Sequence, residues 1–206
     1  MNILRIVFLL FIYTVTTNAH PVIWKYGTAT MVKDAPSITD VMVHYSLEYN
    51  WSLGFTYKRF KQLDKDYVIG QSNWLLSRWN KAGSQGNMYL LSGIGFSTQH
   101  SNDIPIFHLG GQADWETRRA YTLVSSEYYE GAVSALLSRV RIGIAPYIGG
   151  FNDVNMWLIA QIDYLIIEGR HMKDIMPVIR LFKDNILVEI GSNFSDKSMV
   201  AVMIHF

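Results

Sequence analysis

The sequence predicts an all-β fold, a closed antiparallel transmembrane β-barrel of 8–12 strands, with ten preferred and twelve next. Three observations lead there. From residue 22 onward the side chains alternate with a period of two, segment after segment. One face of each segment is continuously apolar, while the other is polar, glycine-rich and charged. Apolar residues make up 50% of the chain and charged residues only 17%, too few to coat the outside of a soluble β-sandwich or ligand-binding barrel. Turning the strands inside out resolves the shortage: apolar faces meet lipid and mixed faces fill the lumen. Closure also removes the strand edges that hydrocarbon could not hydrogen-bond.

The N-terminal residues are set aside first. A lone Arg5 precedes an apolar run from Ile6 to Val15, followed by small and polar residues ending in Thr17, Asn18 and Ala19. This is the layout of a secretory signal peptide over residues 1–19, cleaved after Ala19 to leave His20 as the new terminus. The run is too short for a spanning helix, which needs about 20 residues. Residues 20–206 then form a single barrel domain. They contain no cysteine, so no disulfide holds them together. The formal charge is +1 with no basic cluster, which leaves nucleic acid without an electrostatic footprint.

The strands follow in order. In "VMVHYSLEY", Val41, Val43, Tyr45, Leu47 and Tyr49 share the apolar face, opposite Met42, His44, Ser46 and Glu48. "SLGFTYKRF" sets Leu53, Phe55 and Tyr57 against Gly54, Thr56 and Lys58. "SRVRIGIAPYI" sets Val140, Ile142 and Ile144 against Arg139, Arg141 and Gly143. "VNMWLIAQIDYLII" sets Leu158, Ala160, Ile162 and Tyr164 against Trp157, Ile159, Gln161 and Asp163. "NILVEIGSN" sets Ile186, Val188 and Ile190 against Leu187, Glu189 and Gly191. With turn signals such as "KDAPS", "KAGSQG", "GRHMKD" and "KDN" between them, eleven extended segments emerge. They are 23–33, 39–49, 52–60, 66–79, 87–98, 109–124, 133–148, 155–168, 175–182, 185–192 and 198–206. Segments 66–79 and 87–98 have ambiguous phase. An even count requires that 23–33 stay outside as a leader, giving ten, or that the stretch between 108 and 130 be split, giving twelve.

The chain ends on "SMVAVMIHF", where Val200, Val202, Ile204 and Phe206 share one face and Met199, Ala201, Met203 and His205 the other. This ending, with the leader, the amphipathic strands and the lack of cysteine, resembles the outer-membrane β-barrel proteins of Gram-negative bacteria. In that group the terminal aromatic strand is the insertion signal read by the barrel-assembly machinery. The resemblance implies export to the outer membrane, outer-membrane lipids as surroundings, and Val200, Val202, Ile204 and Phe206 as the assembly signal. It names no substrate.

The polar stretches carry the residues suited to chemistry. "QSNWLLSRWN" is similar to the Ser-Asn region of outer-membrane phospholipase A, yet Gly70 stands where that enzyme has its basic histidine two residues before Ser72. A serine without a base is a poor nucleophile. "QHSN" is similar to the His-x-Ser-Asn of lipid A deacylases, but His100 and Ser101 are adjacent and would face opposite ways. No catalytic residue is therefore assigned; a lipid-modifying enzyme and a soluble exported barrel for an apolar ligand are the competing readings. Glu48, Lys58, Asp114, Glu116, Arg118, Arg139, Arg141, Asp163, Arg180 and Glu189 are expected in the lumen as charges paired across a narrow interior. Of the six histidines, His100 and His108 flank Asp103 in an expected loop, and none has the spacing of a metal motif, so no metal or cofactor is expected. Trp24, Trp51, Trp74, Trp79, Trp115 and Trp157 are expected in aromatic girdles at the membrane interfaces. The expected role is structural, surface-interacting or that of a narrow pore, in a monomer.

Overall fold

The computed structural model describes residues 20–97, 104–131, 133–150, 153–193 and 196–206. Ala19, His100, Ser101 and Asp103 lie outside the described residues. Twelve strands follow in chain order: β1 (Thr28–Asp34), β2 (Ile38–Glu48), β3 (Trp51–Phe60), β4 (Lys65–Lys81), β5 (Ser84–Ser97) and β6 (Pro105–Thr117). The second half is β7 (Ala120–Gly131), β8 (Ala135–Ile144), β9 (Asn155–Ile167), β10 (Arg170–Lys183), β11 (Ile186–Ser192) and β12 (Ser198–His205). Each pairs antiparallel with its chain neighbours, and β1 pairs with β12, from Ala29 opposite His205 to Asp34 opposite Val200, closing the barrel.

The expected count of ten is corrected to twelve. Residues 28–34 are no leader but the closing strand. The stretch between 108 and 130 divides at Arg118–Arg119, a turn without glycine or proline. There the Thr117 hydroxyl accepts hydrogen bonds from the amides of Arg119 (3.0 Å) and Ala120 (2.8 Å), doing the work a turn residue would do. The ambiguous phase of 66–79 has a cause as well. A β-bulge lies between Leu75 and Ser77, so the inward set changes from Asn73 and Leu75 to Arg78 and Asn80. Elsewhere ordinary turn chemistry suffices: Glu168 and Gly169 link β9 to β10 with φ of 47° and 74°, the paired positive values of a type I′ hairpin.

Side-chain exposure identifies the two faces. Phe55 and Leu109 are 69% and 58% exposed, whereas their neighbours Thr56 and His108 are 2% and 3%. Val200, Val202 and Phe206 likewise point out, Ile204 is half-buried, and Met199, Ala201, Met203 and His205 are buried inside. The tryptophans divide. Trp51, Trp74, Trp79 and Trp115 lie on outward positions, with Trp51 and Trp74 stacked at 5.1 Å. Trp157 instead points inward against Tyr121, and Trp24 lies edge-on to inward His205, so neither belongs to a girdle.

The wall is uneven. The β10–β11, β11–β12, β12–β1 and β1–β2 ladders run for only six or seven residue pairs, while β4–β5 runs for fourteen. Pro177 lies one residue beyond the β10–β11 pairing, which ends at Val178, so its missing N–H breaks no bond of that ladder. The start of β1 and the end of β12 lie at one mouth, termed terminal, with the β2–β3, β4–β5, β6–β7, β8–β9 and β10–β11 turns. The opposite mouth is termed distal.

Candidate functional site

The lumen is built in three layers. At the terminal mouth, residues 20–27 fold back into the barrel. Ser52 Oγ donates to the Pro21 carbonyl (2.9 Å), the Ile23 amide donates to Ser46 Oγ (3.1 Å), and the Ser46 amide donates to the Gly27 carbonyl (2.9 Å). Val22 is fully buried against Tyr89, Leu91 and Leu75. The His20 ring stacks on Tyr89 at 5.8 Å, with Nδ1 3.6 Å from Asp114 Oδ2. Lys25 pairs with Glu48 at 2.7 Å, and that hydrogen bond raises the ammonium above its ordinary value.

In the middle layer the alternation of β2, β3, β4, β6 and β7 aims polar side chains at one another across the lumen. Asn73 Nδ2 donates to His44 Nδ1 (2.8 Å), which leaves His44 Nε2 to donate to Gln71 Oε1 (3.0 Å). Gln71 Nε2 donates to His108 Nδ1 (3.0 Å), and His108 Nε2 donates to Glu127 Oε2 (3.0 Å). With the amides oriented this way, one tautomer, protonated on Nε2, satisfies both rings. Gly54 makes room for this chain, since a Cβ there would lie 2.3 Å from His44 Cδ2. Lys58 sits between Asp40 (3.0 Å) and Glu127 (3.7 Å).

Opposite, β7–β11 contribute a guanidinium cluster. Arg139 binds Asp163 through Nε (2.6 Å) and Nη2 (3.2 Å). Arg141 forks onto both Glu189 oxygens (2.9 and 2.7 Å), and Arg180 Nε donates to the same carboxylate at 2.7 Å. Fork geometry of this kind gives strong, directional pairing. Arg180 also lies over the Tyr121 ring, 4.4 Å from its centre.

The distal layer is apolar on one side. Phe60, Tyr67, Ile69, Ile106, Tyr129 and Ile167 pack together inside the barrel. On the low side of the wall Lys197 pairs with Asp174 at 2.5 Å, which raises the lysine above its ordinary value.

Lys58, Asp114, Glu116, Arg139, Arg141, Asp163, Arg180 and Glu189 thus lie on inward positions. Glu48 sits at the terminal rim, and Arg118, in the exposed β6–β7 turn, lines the cavity at that mouth. His108, expected in a loop, is an inward residue of β6. Asp40, His44, Gln71, Asn73 and Glu127 were missed as site residues. His44 was already on the polar phase of its strand, but partners two strands away leave no mark in sequence. Ser72 faces outward and accepts a hydrogen bond from Trp51 Nε1 (2.9 Å). Among the described residues no group of three or more His, Asp or Glu side chains is placed to hold a metal ion.

Among the described residues the lumen holds a cavity of about 220 Å³ in the middle layer and one of about 560 Å³ at the terminal mouth. His20, Tyr121, Arg180 and Leu187 line both, so the two meet at that level.

No family model and no curated protein matches the chain. Solved structures that resemble it in fold include two of KdgM porins. A KdgM porin in complex with disordered oligogalacturonate aligns with a TM-score of 0.54 at 9% identity, over 87% of this chain and 98% of that one. A second KdgM porin structure aligns with a TM-score of 0.50 at 11% identity, over the same shares.

Proposed function

We propose that the chain is an outer-membrane β-barrel carrying a narrow, water-filled passage. The observation that carries this reading is the pair of lumenal cavities sharing His20, Tyr121, Arg180 and Leu187, within a closed barrel whose outward face is apolar. The fold likeness to KdgM porins supports the same reading. No particular solute is assigned, because Arg139, Arg141 and Arg180 are already bound to carboxylates of the chain itself. Export with a leader ending at Ala19, insertion read from Val200, Val202, Ile204 and Phe206, and a monomeric state belong to the same proposal. An outward Ser72 with Gly70 in place of a base gives the lipid-modifying reading no support.

The membrane assignment has a depth test. Ile162→Arg, on the outward face at the middle of β9, should cost about 2–4 kcal/mol in lipid, and Tyr49→Arg, in the β2–β3 turn, about 0–1 kcal/mol. Urea unfolding in lipid vesicles measures both, and equal costs would remove the lipid-facing assignment. The pore assignment is tested by reconstituting the protein in planar bilayers. Small, step-like current increments are expected. If neither the intact protein nor a form lacking residues 20–26 conducts, the passage does not exist.

A further inference from the structure

We infer that the mature N-terminus is itself a lumenal ligand. The α-ammonium of His20, released by cleavage after Ala19, docks on the carboxylates of Asp114 and Glu116 and locks residues 20–27 across the terminal mouth. This rests on the reading of residues 1–19 as a leader, and its effect on current rests on the pore reading.

The carboxylates come first. Asp114 and Glu116 are successive inward residues of β6, about 7 Å apart along the strand, and both line the terminal cavity with His20. Asp114 is held by neutral donors: Asn87 Nδ2 at 2.7 Å and Gln112 Nε2 at 3.3 Å. Asn87 is fixed in turn by Arg78 Nε at 2.7 Å. Among the described residues Glu116 makes no hydrogen bond or ion pair. The other inward carboxylates all have a lysine or arginine: Asp40 and Glu127 have Lys58, Asp163 has Arg139, Glu189 has Arg141 and Arg180, and Asp174 has Lys197. Among the described residues, only this inward pair forms no ion pair with a lysine or arginine, although Arg118 and Arg180 line the same cavity.

His20 is aimed at the gap. It is 9% exposed, and among the described residues neither ring nitrogen has a hydrogen-bond partner. The 3.6 Å from Nδ1 to Asp114 is too long for one. A buried imidazole left this way is costly unless the site is unfinished. In the precursor the His20 nitrogen is an uncharged peptide amide. The exporting cell's signal peptidase would hydrolyse the Ala19–His20 bond with one water, leaving a carboxylate on Ala19 and an amine on His20 that takes up a proton near neutral pH. That ammonium sits on the residue already stacked on Tyr89 and beside Asp114. Pro21 follows with its fixed φ, and its carbonyl is held by Ser52, so the terminus has little freedom to leave. Capture of an N-terminal amine is an established recognition mode. Processing therefore creates the group that closes the mouth, and the unprocessed chain cannot latch.

The test uses the processed protein extracted from cells in detergent. Its α-amine is labelled with an amine-reactive probe at neutral pH, with the exposed lysines as internal reference and peptide mapping as the readout. The wild-type α-amine should label at least about tenfold more slowly than that of Asp114→Asn/Glu116→Gln, since one unit of pKa removes nine-tenths of the free amine. If the double variant does not fold, Glu116→Gln serves, because it breaks no hydrogen bond in the structure, and faster labelling is again expected. Equal rates, or a mature N-terminus at any residue other than His20, overturn the inference. In bilayers, the double variant and the form lacking residues 20–26 should both conduct several-fold more than the processed wild type. A barrel that never conducts but still shields its α-amine would sink the pore and keep the latch; the reverse result would sink the latch and keep the pore.

Discussion

Replacing Glu189 with leucine should cost the barrel about 3–5 kcal/mol, because it leaves two lumenal guanidiniums without their carboxylate. Arg141 and Arg180 converge on Glu189 from β8 and β10, and all three side chains are buried. Arg141 keeps only the carbonyl oxygen of the Gln161 side chain (2.7 Å), and Arg180 keeps the Tyr121 hydroxyl (3.2 Å) and ring. Reversible urea unfolding in lipid vesicles gives the number. Changing all three residues together, to Met at the arginines and Leu at Glu189, should restore most of the stability, as replacement of whole buried ion clusters commonly does. A single Glu189→Leu variant as stable as wild type would mean that the lumen hydrates these arginines freely.

Changing Phe206 to Asp should block insertion almost entirely, an effect far larger than its packing explains. Its ring points outward and is 39% exposed, and what fixes the residue is backbone pairing with Thr28, at 2.9 and 2.8 Å. Truncating even a buried phenylalanine costs only about 3–5 kcal/mol, and this one is not buried. Failure would appear as protein degraded in the periplasm, with little of the band whose gel mobility shifts on heating. His205→Ala is the control: that ring is buried in the lumen edge-on to Trp24, so its loss should be mild. Normal outer-membrane levels of Phe206→Asp, or greater damage from His205→Ala, would remove the insertion signal.

The inside-out arrangement was legible because a period of two cannot be disguised: Phe55 against Thr56, or Ile162 against Gln161, declares its face with no knowledge of neighbours. Strand number was harder. The β6–β7 turn is made by a threonine hydroxyl and two arginines, none a turn signal, and β1 carries Thr28 and Thr30 on its outward face, which weakens its alternation. The bulge after Leu75 hid the phase of Arg78. Within the site, inward charges such as Arg141 and Glu189 could be read singly. Their pairing could not, since Arg141 on β8 meets Glu189 on β11 only once the cylinder has closed. The return of residues 20–27 into the lumen had no signal either: it depends on Ser46, Ser52 and Tyr89 being brought to one mouth.

The short strands β11, β12 and β1 form a panel bounded by taller neighbours, with six or seven residue pairs at each join. Under a force that pulls the cylinder open, rupture should begin there, because every other seam must break ten or more pairs at once. The panel is not held by its seams alone. The grip of Arg141 on Glu189 spans from β8 to β11, and Lys197 ties the β11–β12 turn to β10 at Asp174. Side chains act here as struts across a hollow section, so removing a strut should weaken the panel mechanically even where no backbone bond has changed.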